Sequence, residues 1–378
     1  MKNKFDVNKS PWTTIWETTQ ASDIVCLDYG DGIQPELDPL ELSTDEAEQL
    51  IREVAELKPR IFMLSGADPL KREDIYHLVE YAALRHLHPV MAVRATPLLT
   101  FDAVATLKKA GLSRMVLRLN GSTSELHDVI CGVHGSYART IEATQWAEEC
   151  RLPIQITTQV CQRNLQDLER MAFMLKPFRI SQWNVEFVVP KRDAQLEEMP
   201  SPGQFEEAFA RLYKLAQKVP FKIKTSEAPH YRRYVLQQQA AARSKGPKQP
   251  PQFEEGIPGI LPVNEERAVI FISHTGEVYP CASLPIAAGN VRIQKLAEIY
   301  CSAPILNALR DAHSLTGKCG FCAFKQVCGG SRGRAYAVNG DPFAEDPACI
   351  YRPLQPQRVC AGAPEFLPPQ KAVVEPRD

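Results

Sequence analysis

Four cysteines towards the C-terminal end carry the most specific chemical signal in the sequence. They read Cys319-x2-Cys322-x5-Cys328, with Cys349 following after twenty intervening residues. Four thiolates at such spacing suit either a tetrahedral zinc ion or an iron–sulfur cluster. Gly320, Gly329 and Gly330 stand beside them, where backbone amides must approach sulfur closely. On spacing alone the two metals stay open. Of the eleven cysteines, Cys281, Cys301 and Cys360 join these four in the last hundred residues, while Cys26, Cys131, Cys150 and Cys161 are scattered. Scattered cysteines usually serve as small buried hydrophobes, and crowded ones point to a metal.

Other reactive groups carry weaker signals. Glu17, Asp23, Asp28 and Asp31 fall in one region, where paired carboxylates do acid–base work or bind Mg2+, although a solvated loop accounts for them more simply. Gly30-Asp31-Gly32 lacks the trailing Lys-Ser/Thr of a phosphate loop. His127 and His134 are candidate metal ligands, although hydrogen-bonded loop histidines account for them more simply. Tyr231-Arg232-Arg233-Tyr234 reads equally as an anion grip or as a helix surface. No Gly-x-Ser-x-Gly and no cysteine–histidine nucleophile motif stands out, and no residue is assigned a catalytic role.

The elements that must position these groups alternate. Strands are expected at Ile24–Leu27, Arg60–Leu64, Pro89–Val93, Arg114–Leu119, Pro153–Val160 and Gln182–Val189. Helices are expected at Thr44–Leu57, Arg72–Leu87, Phe101–Ala110, Ser136–Cys150, Asn164–Leu175, Phe205–Val219 and Tyr231–Ala242. Such βα units imply crossovers and a parallel sheet, either open and doubly wound or curled into a partial barrel. Ser244 to Pro251 reads as a linker, and His274-Thr275-Gly276 as the turn of a short hairpin.

The chain has 378 residues, 44% hydrophobic, enough for two domains or one barrel with an appendage. Its 44 Lys+Arg balance 45 Asp+Glu, which argues against a nucleic-acid or membrane-surface partner. No run of 18 apolar residues occurs, and Met1-Lys2-Asn3-Lys4-Phe5-Asp6 lacks the apolar core of a signal peptide. A cytoplasmic location is expected.

The cysteine run continues as Cys328-Gly329-Gly330-Ser331-Arg332-Gly333-Arg334-Ala335, then Asn339-Gly340-Asp341 and Glu345-Asp346-Pro347-Ala348-Cys349. Gly276-Glu277-Val278-Tyr279-Pro280-Cys281 and Gly289-Asn290-Val291 precede it. Residues 268–352 thereby resemble the SPASM/twitch extension of radical S-adenosylmethionine (radical SAM) enzymes. The resemblance implies a [4Fe-4S] auxiliary cluster on Cys319, Cys322, Cys328 and Cys349, with Cys281 a possible further ligand. Two-cluster members carry one more cysteine where this chain has Arg332, so a second auxiliary cluster is not expected.

The preceding βα series resembles the radical SAM barrel. The implied fold is α/β: a partial (β/α)6 barrel over 1–240, a linker over 241–265, a SPASM/twitch domain over 266–355 and a loose tail over 356–378. Ser65, Gly66, Ala67, Asp68 and Pro69 resemble the turn that holds the methionine end of S-adenosylmethionine, with Ala67 in place of a glycine. Thr225 to Arg233 resembles a subgroup near the haem- and peptide-modifying members. At the three cysteines of the family's core C-x3-C-x2-C loop this chain has Ser22, Cys26 and Tyr29. Cys26 is the remnant core ligand, and one thiolate does not hold a low-potential [4Fe-4S] cluster as three do. Arg94 and Arg118 add bulk and charge at strand ends, and Cys131 replaces a frequent arginine. A catalytically degenerate member is therefore expected, binding S-adenosylmethionine weakly or not at all. Its partner would be a peptide, a tetrapyrrole or a catalytically intact paralogue. The alternatives are an active radical enzyme with altered core ligation and a zinc-binding scaffold.

Overall fold

The structure of the chain, a computed structural model, describes residues 5–24, 33–191, 196–243 and 265–353. Its strands are β1 Thr13–Glu17, β2 Ile61–Ser65, β3 Pro89–Val93, β4 Arg114–Arg118, β5 Ile154–Val160, β6 Ile180–Phe187 and β7 Lys222–Ser226. β8 Val269–Ile272, β9 Glu277–Tyr279 and β10 Gly289–Asn290 complete them. Among the described residues all ten belong to one sheet, ordered β10-β9-β8-β1-β2-β3-β4-β5-β6-β7. Every pairing from β8 to β7 is parallel, and only the β8–β9–β10 edge is antiparallel.

Helices cover the outer face: α1 Thr44–Leu57, α2 Ile75–Leu84, α3 Phe101–Lys109, α4 Ser124–Cys131, α5 Ser136–Glu149, α6 Leu168–Met174, α7 Pro202–Leu215 and α8 His230–Arg243. The C-terminal part adds α9 Leu296–Ser302, α10 Pro304–Arg310, α11 Gly317–Gly320 and α12 Arg332–Asn339. Local chemistry sets the ends. Ser43 and Glu46 close a capping box on α1, as Ser201 and Gln204 do on α7. Strand alternation then separates two faces. Trp16, Leu64, Met91, Leu117 and Val185 point outwards into the core, all at most 1% exposed. Their neighbours Glu17, Ser65, Arg118 and Glu186 point into a lumen. This is the layout of a barrel interior rather than of a doubly wound sheet, whose two faces would both be apolar.

Several elements depart from expectation. β1 lies earlier than the strand expected at Ile24–Leu27, most of which falls outside the described residues. β7 was not foreseen, because Lys222-Ile223-Lys224-Thr225-Ser226 is a polar edge strand with no apolar alternation. α4 occupies what reads as loop. α2 starts at Ile75 rather than Arg72, because Arg72 is buried and turned back on other segments. Its guanidinium donates to Thr18 O at 3.2 Å and Leu42 O at 3.0 Å, and pairs with Asp74. Asn164–Leu175 splits into a 3-10 turn and α6. The expected hairpin about His274-Thr275-Gly276 forms as β8–β9. Among the described residues no helix is long and apolar enough to cross a membrane.

Candidate active site and metal centre

The lumen opens as a cavity of about 780 Å³, bounded by strand ends, by α4 and by the β9–β10 segment. The turn after β2 is stapled to the chain leaving β1. Ala67 N donates to Thr19 O and Asp68 N to Ala21 O, each at 3.0 Å. Gly66 sits at φ +143°, and a Cβ there would lie 2.4 Å from Thr19 O, so only glycine fits. Ala67, in contrast, has no positive φ, and its methyl strains nothing. Ser65, Gly66 and Ala67 line the cavity. Asp68 faces away from it: Thr96 Oγ1 donates to Oδ2 at 2.7 Å and Leu70 N to Oδ1 at 3.1 Å. Burial holds its carboxyl above the usual range, although Thr96 and Leu70 pull the other way. Pro69 opens the 3-10 turn that follows.

The loop that leaves β1 is closed at its base. Ser22 N donates to Gln34 O at 2.8 Å, and Gln34 N to Gln20 O at 3.3 Å. Ser22 is 1% exposed, and its hydroxyl is used locally, donating to Ile24 O at 3.0 Å and accepting from Ile24 N at 3.1 Å. Cys26, Asp28, Tyr29 and Asp31 lie outside the described residues. The remaining carboxylates do not pair. Asp23 bonds Lys71 at 2.7 Å, whereas Glu17 receives His274 Nδ1 at 2.9 Å, with Asp38 3.4 Å from the other ring nitrogen. Arg118 lies 3.8 Å from Glu186 across the lumen.

One pair escaped sequence reading. His127 and Cys131, four apart on α4, bring Nε2 and Sγ to 3.5 Å, and both side chains line the cavity. Their helical i, i+4 spacing was the available signal. It carried no weight while the segment read as a loop.

At the other end of the chain, Cys319, Cys322, Cys328 and Cys349 line one small cavity together with Gly329 and Gly330. None of the four is in a disulfide. Phe324 N donates to Cys322 Sγ and Gly330 N to Cys328 Sγ, each at 3.4 Å. The turn that delivers the second amide needs φ of +75° and +72° at Gly329 and Gly330. Burial raises the thiol pKa of Cys319 and Cys328, and pushes that of Cys349 up to about 11. Among the described residues no three His, Cys, Asp or Glu side chains form a group that could hold a single metal ion. Cys281 lies elsewhere, on the lumen, 3.1 Å from Ser283 Oγ.

A buried polar frame supports the cysteine cavity. Asp346 is fully buried; burial alone would raise its pKa, but the Arg334 guanidinium 3.2 Å away, His230 and the Ser331 and Ala348 amides hold it at about 2. Arg334 also donates to Glu227 O at 2.5 Å. The Glu227 carboxylate accepts from Ser331 Oγ and from Ser283 Oγ, the latter at 2.6 Å. Glu227, at the end of β7, thus joins the lumen to the loop that carries Cys328. Tyr231 is buried against α7, and Arg233 pairs with Glu206 there while its guanidinium covers the Tyr351 ring; Arg232 lines the lumen.

Comparison with known proteins agrees with this geometry. The radical SAM superfamily profile matches residues 26–175, and an iron–sulfur cluster-binding domain profile, SPASM, matches residues 264–323. An AdoMet-dependent heme synthase of Methanosarcina barkeri is 33% identical over 347 residues, 92% of this chain and 98% of that protein. A PqqA peptide cyclase of Rhodopseudomonas palustris is 28% identical over 353 residues, 91% of this chain and 88% of that protein. Streptococcus suis SuiB bound to S-adenosylmethionine shares the fold at TM-score 0.68 and 14% identity, covering 91% of this chain and 78% of that one. The chain belongs to the radical SAM superfamily, in the branch that carries a SPASM domain.

Proposed function

We propose that the chain is a catalytically degenerate radical SAM/SPASM protein. It holds one [4Fe-4S] auxiliary cluster on Cys319, Cys322, Cys328 and Cys349 and binds a carboxylate-bearing tetrapyrrole in the lumen. The observation that carries the reading is the unequal state of the two ends. Four thiols outside any disulfide share one cavity, with N–H groups aimed at two of the sulfurs, as suits cluster thiolates. At the core loop, Ser22 is buried and bonded into its own turn, leaving Cys26 as the one thiolate of three positions. Sulfurs that line a common cavity without grouping around a single ion suit a cluster better than zinc.

When bound, such a cluster supplies one-electron chemistry or a Lewis-acidic iron. The chain's own residues do the rest. Gly330 N and Phe324 N stabilise thiolate charge, and Glu227 fixes the cluster loop against the lumen. Nine Arg or Lys and four Glu are among the described residues that line the lumen, with the guanidiniums of Arg267, Arg310 and Arg332 bonded to backbone carbonyls. That excess suits several carboxylates better than a peptide backbone. A relative 33% identical over 92% of this chain is named for AdoMet-dependent heme synthesis, which points the same way, against 28% identity for the peptide cyclase. Nine free thiols among the described residues suit a reducing cytoplasm.

Anaerobic purification with iron, sulfide and zinc analysis tests the reading. About four irons per chain, unchanged by Cys26→Ala, are expected. About eight irons, half of them lost in Cys26→Ala, would establish an active core with altered ligation. Zinc without sulfide would establish a structural scaffold.

A further inference from the structure

Arg114 differs from its neighbours in the lumen wall by having no charge to meet. β4 alternates, so Met115 and Leu117 enter the core while Arg114, Val116 and Arg118 face the cavity. Arg114 and Arg118 are four residues apart on that face, which sets them roughly 13 Å from each other. Arg118, at the rim, lies 3.8 Å from Glu186. Arg114 lies at the opposite end of the barrel from the Gly66 turn. Its side chain makes one hydrogen bond, from Nη1 to Gln155 Oε1 at 3.3 Å, and among the described residues no carboxylate stands within ion-pair distance. Burial lowers its pKa, and no charged neighbour adds to or opposes that effect. An arginine keeps its proton nonetheless, so the fold holds a half-buried cation without an internal counter-ion.

The wall beside it is apolar and only half-buried. Register sets Val90 next to Arg114, Met63 next to Val90, and Ile15 between Met63 and Phe271. These four side chains cross the lumen as one row, and Ile15, Met63 and Phe271 keep part of their surface open to the cavity. The neighbouring strands contribute neutral amides: Gln155 and Gln182 are paired in register and line the same space. A lone cation beside amides and an apolar row is the complement of an apolar body that ends in a carboxylate.

We propose that Arg114 is a carboxylate-binding residue at the floor of the lumen. It receives one acidic side chain of the ligand, whose apolar body lies against Phe271, Ile15 and Met63. The proposal rests on the tetrapyrrole reading above and deepens it, because it separates one carboxylate held inside the barrel from any held at the wetter rim. Binding exchanges water on both charges for a two-pronged guanidinium–carboxylate contact, and the site selects the free acid over a neutral ester.

Titrating the cluster-loaded protein with a metal-free porphyrin that carries two propionates, and with its dimethyl ester, tests this by Soret absorption and fluorescence. The unmodified protein should bind the diacid roughly tenfold or more tighter than the diester. Arg114→Met, which keeps a long apolar stem and removes the charge, should abolish that preference by weakening the diacid alone. Arg114→Lys should recover part of it. Without ligand, Arg114→Met should unfold at an equal or higher temperature, since the charge it removes has no internal partner. Equal binding of diacid and diester by the unmodified protein, diacid binding untouched by Arg114→Met, or earlier unfolding of ligand-free Arg114→Met overturns the assignment of Arg114 and leaves the tetrapyrrole reading standing. Failure of the unmodified protein to bind either porphyrin overturns the two together.

Discussion

The two ends of the molecule where the family keeps its iron differ in what their local chemistry has preserved. The C-terminal cavity brings together four thiols, two N–H···S contacts, paired glycines at positive φ and a buried Asp346–Arg334 pair behind them. At the core loop the sequence has Ser22, Cys26 and Tyr29 at the three ligand positions, and the structure describes Ser22 among them. The Gly66 turn remains stapled to Thr19 and Ala21, the loop base is closed by Gln34, and Ser22 is folded into a hydrogen-bonded turn. On the reading proposed above, backbone geometry has outlasted side-chain chemistry. The first is required to close the barrel, whereas the second serves only a reaction.

That contrast can be broken most sharply at the cluster. Cys322→Ala should bleach the visible iron–sulfur absorption and loosen the C-terminal part, because its buried thiols would lose the metal that keeps them charged; absorption and thermal unfolding report both. If colour and stability survive, the four cysteines do not form one site. Gly66→Ala asks whether the core turn is kept for folding. With φ +143° and backbone 2.4 Å from the new Cβ, a loss of about 2–4 kcal/mol is expected in denaturant unfolding, although no ligand is touched. A neutral result would mean that the turn serves binding alone.

The smallest effect concerns His274, which ties the β8–β9 hairpin to Glu17 at the lumen. Burial lowers its pKa, but the bond to Glu17 and the carboxylates of Glu41 and Asp38 outweigh burial and leave it raised. A raised histidine pKa stabilises the fold below the unfolded value, and that contribution fades as pH rises through the folded value. His274→Gln should therefore cost about 1 kcal/mol near pH 6 and less near pH 8. An equal loss at both would show that packing, rather than charge, holds the hairpin to the barrel.

Much of this was legible beforehand. α1 and β3 fall where apolar spacing places them, because amphipathic periodicity survives wherever a helix covers a sheet. The four cysteines were legible from spacing and prove to share a cavity. What could not be read is instructive in its cause. β7 is a polar edge strand that tertiary pairing alone makes a strand. Arg72 is a helix-forming residue held out of α2 by two carbonyls distant in sequence. The His127–Cys131 contact needed α4 to be helical, and a segment of eight residues between Gly121 and Gly132 gives little warning of that.

The parallel pairing of β1 with β8 also bears on how the chain comes to be folded. Thr13 finds one neighbour in Ile61, but its other neighbour, Val269, is made only after the whole barrel sequence has left the ribosome. During synthesis the first strand waits with one edge unsatisfied, a template for any other strand that passes. Closing it is a contact of very high sequence separation, and such contacts form late and slowly. A chain cut before residue 269 would keep every βα unit and still present that open edge to its neighbours.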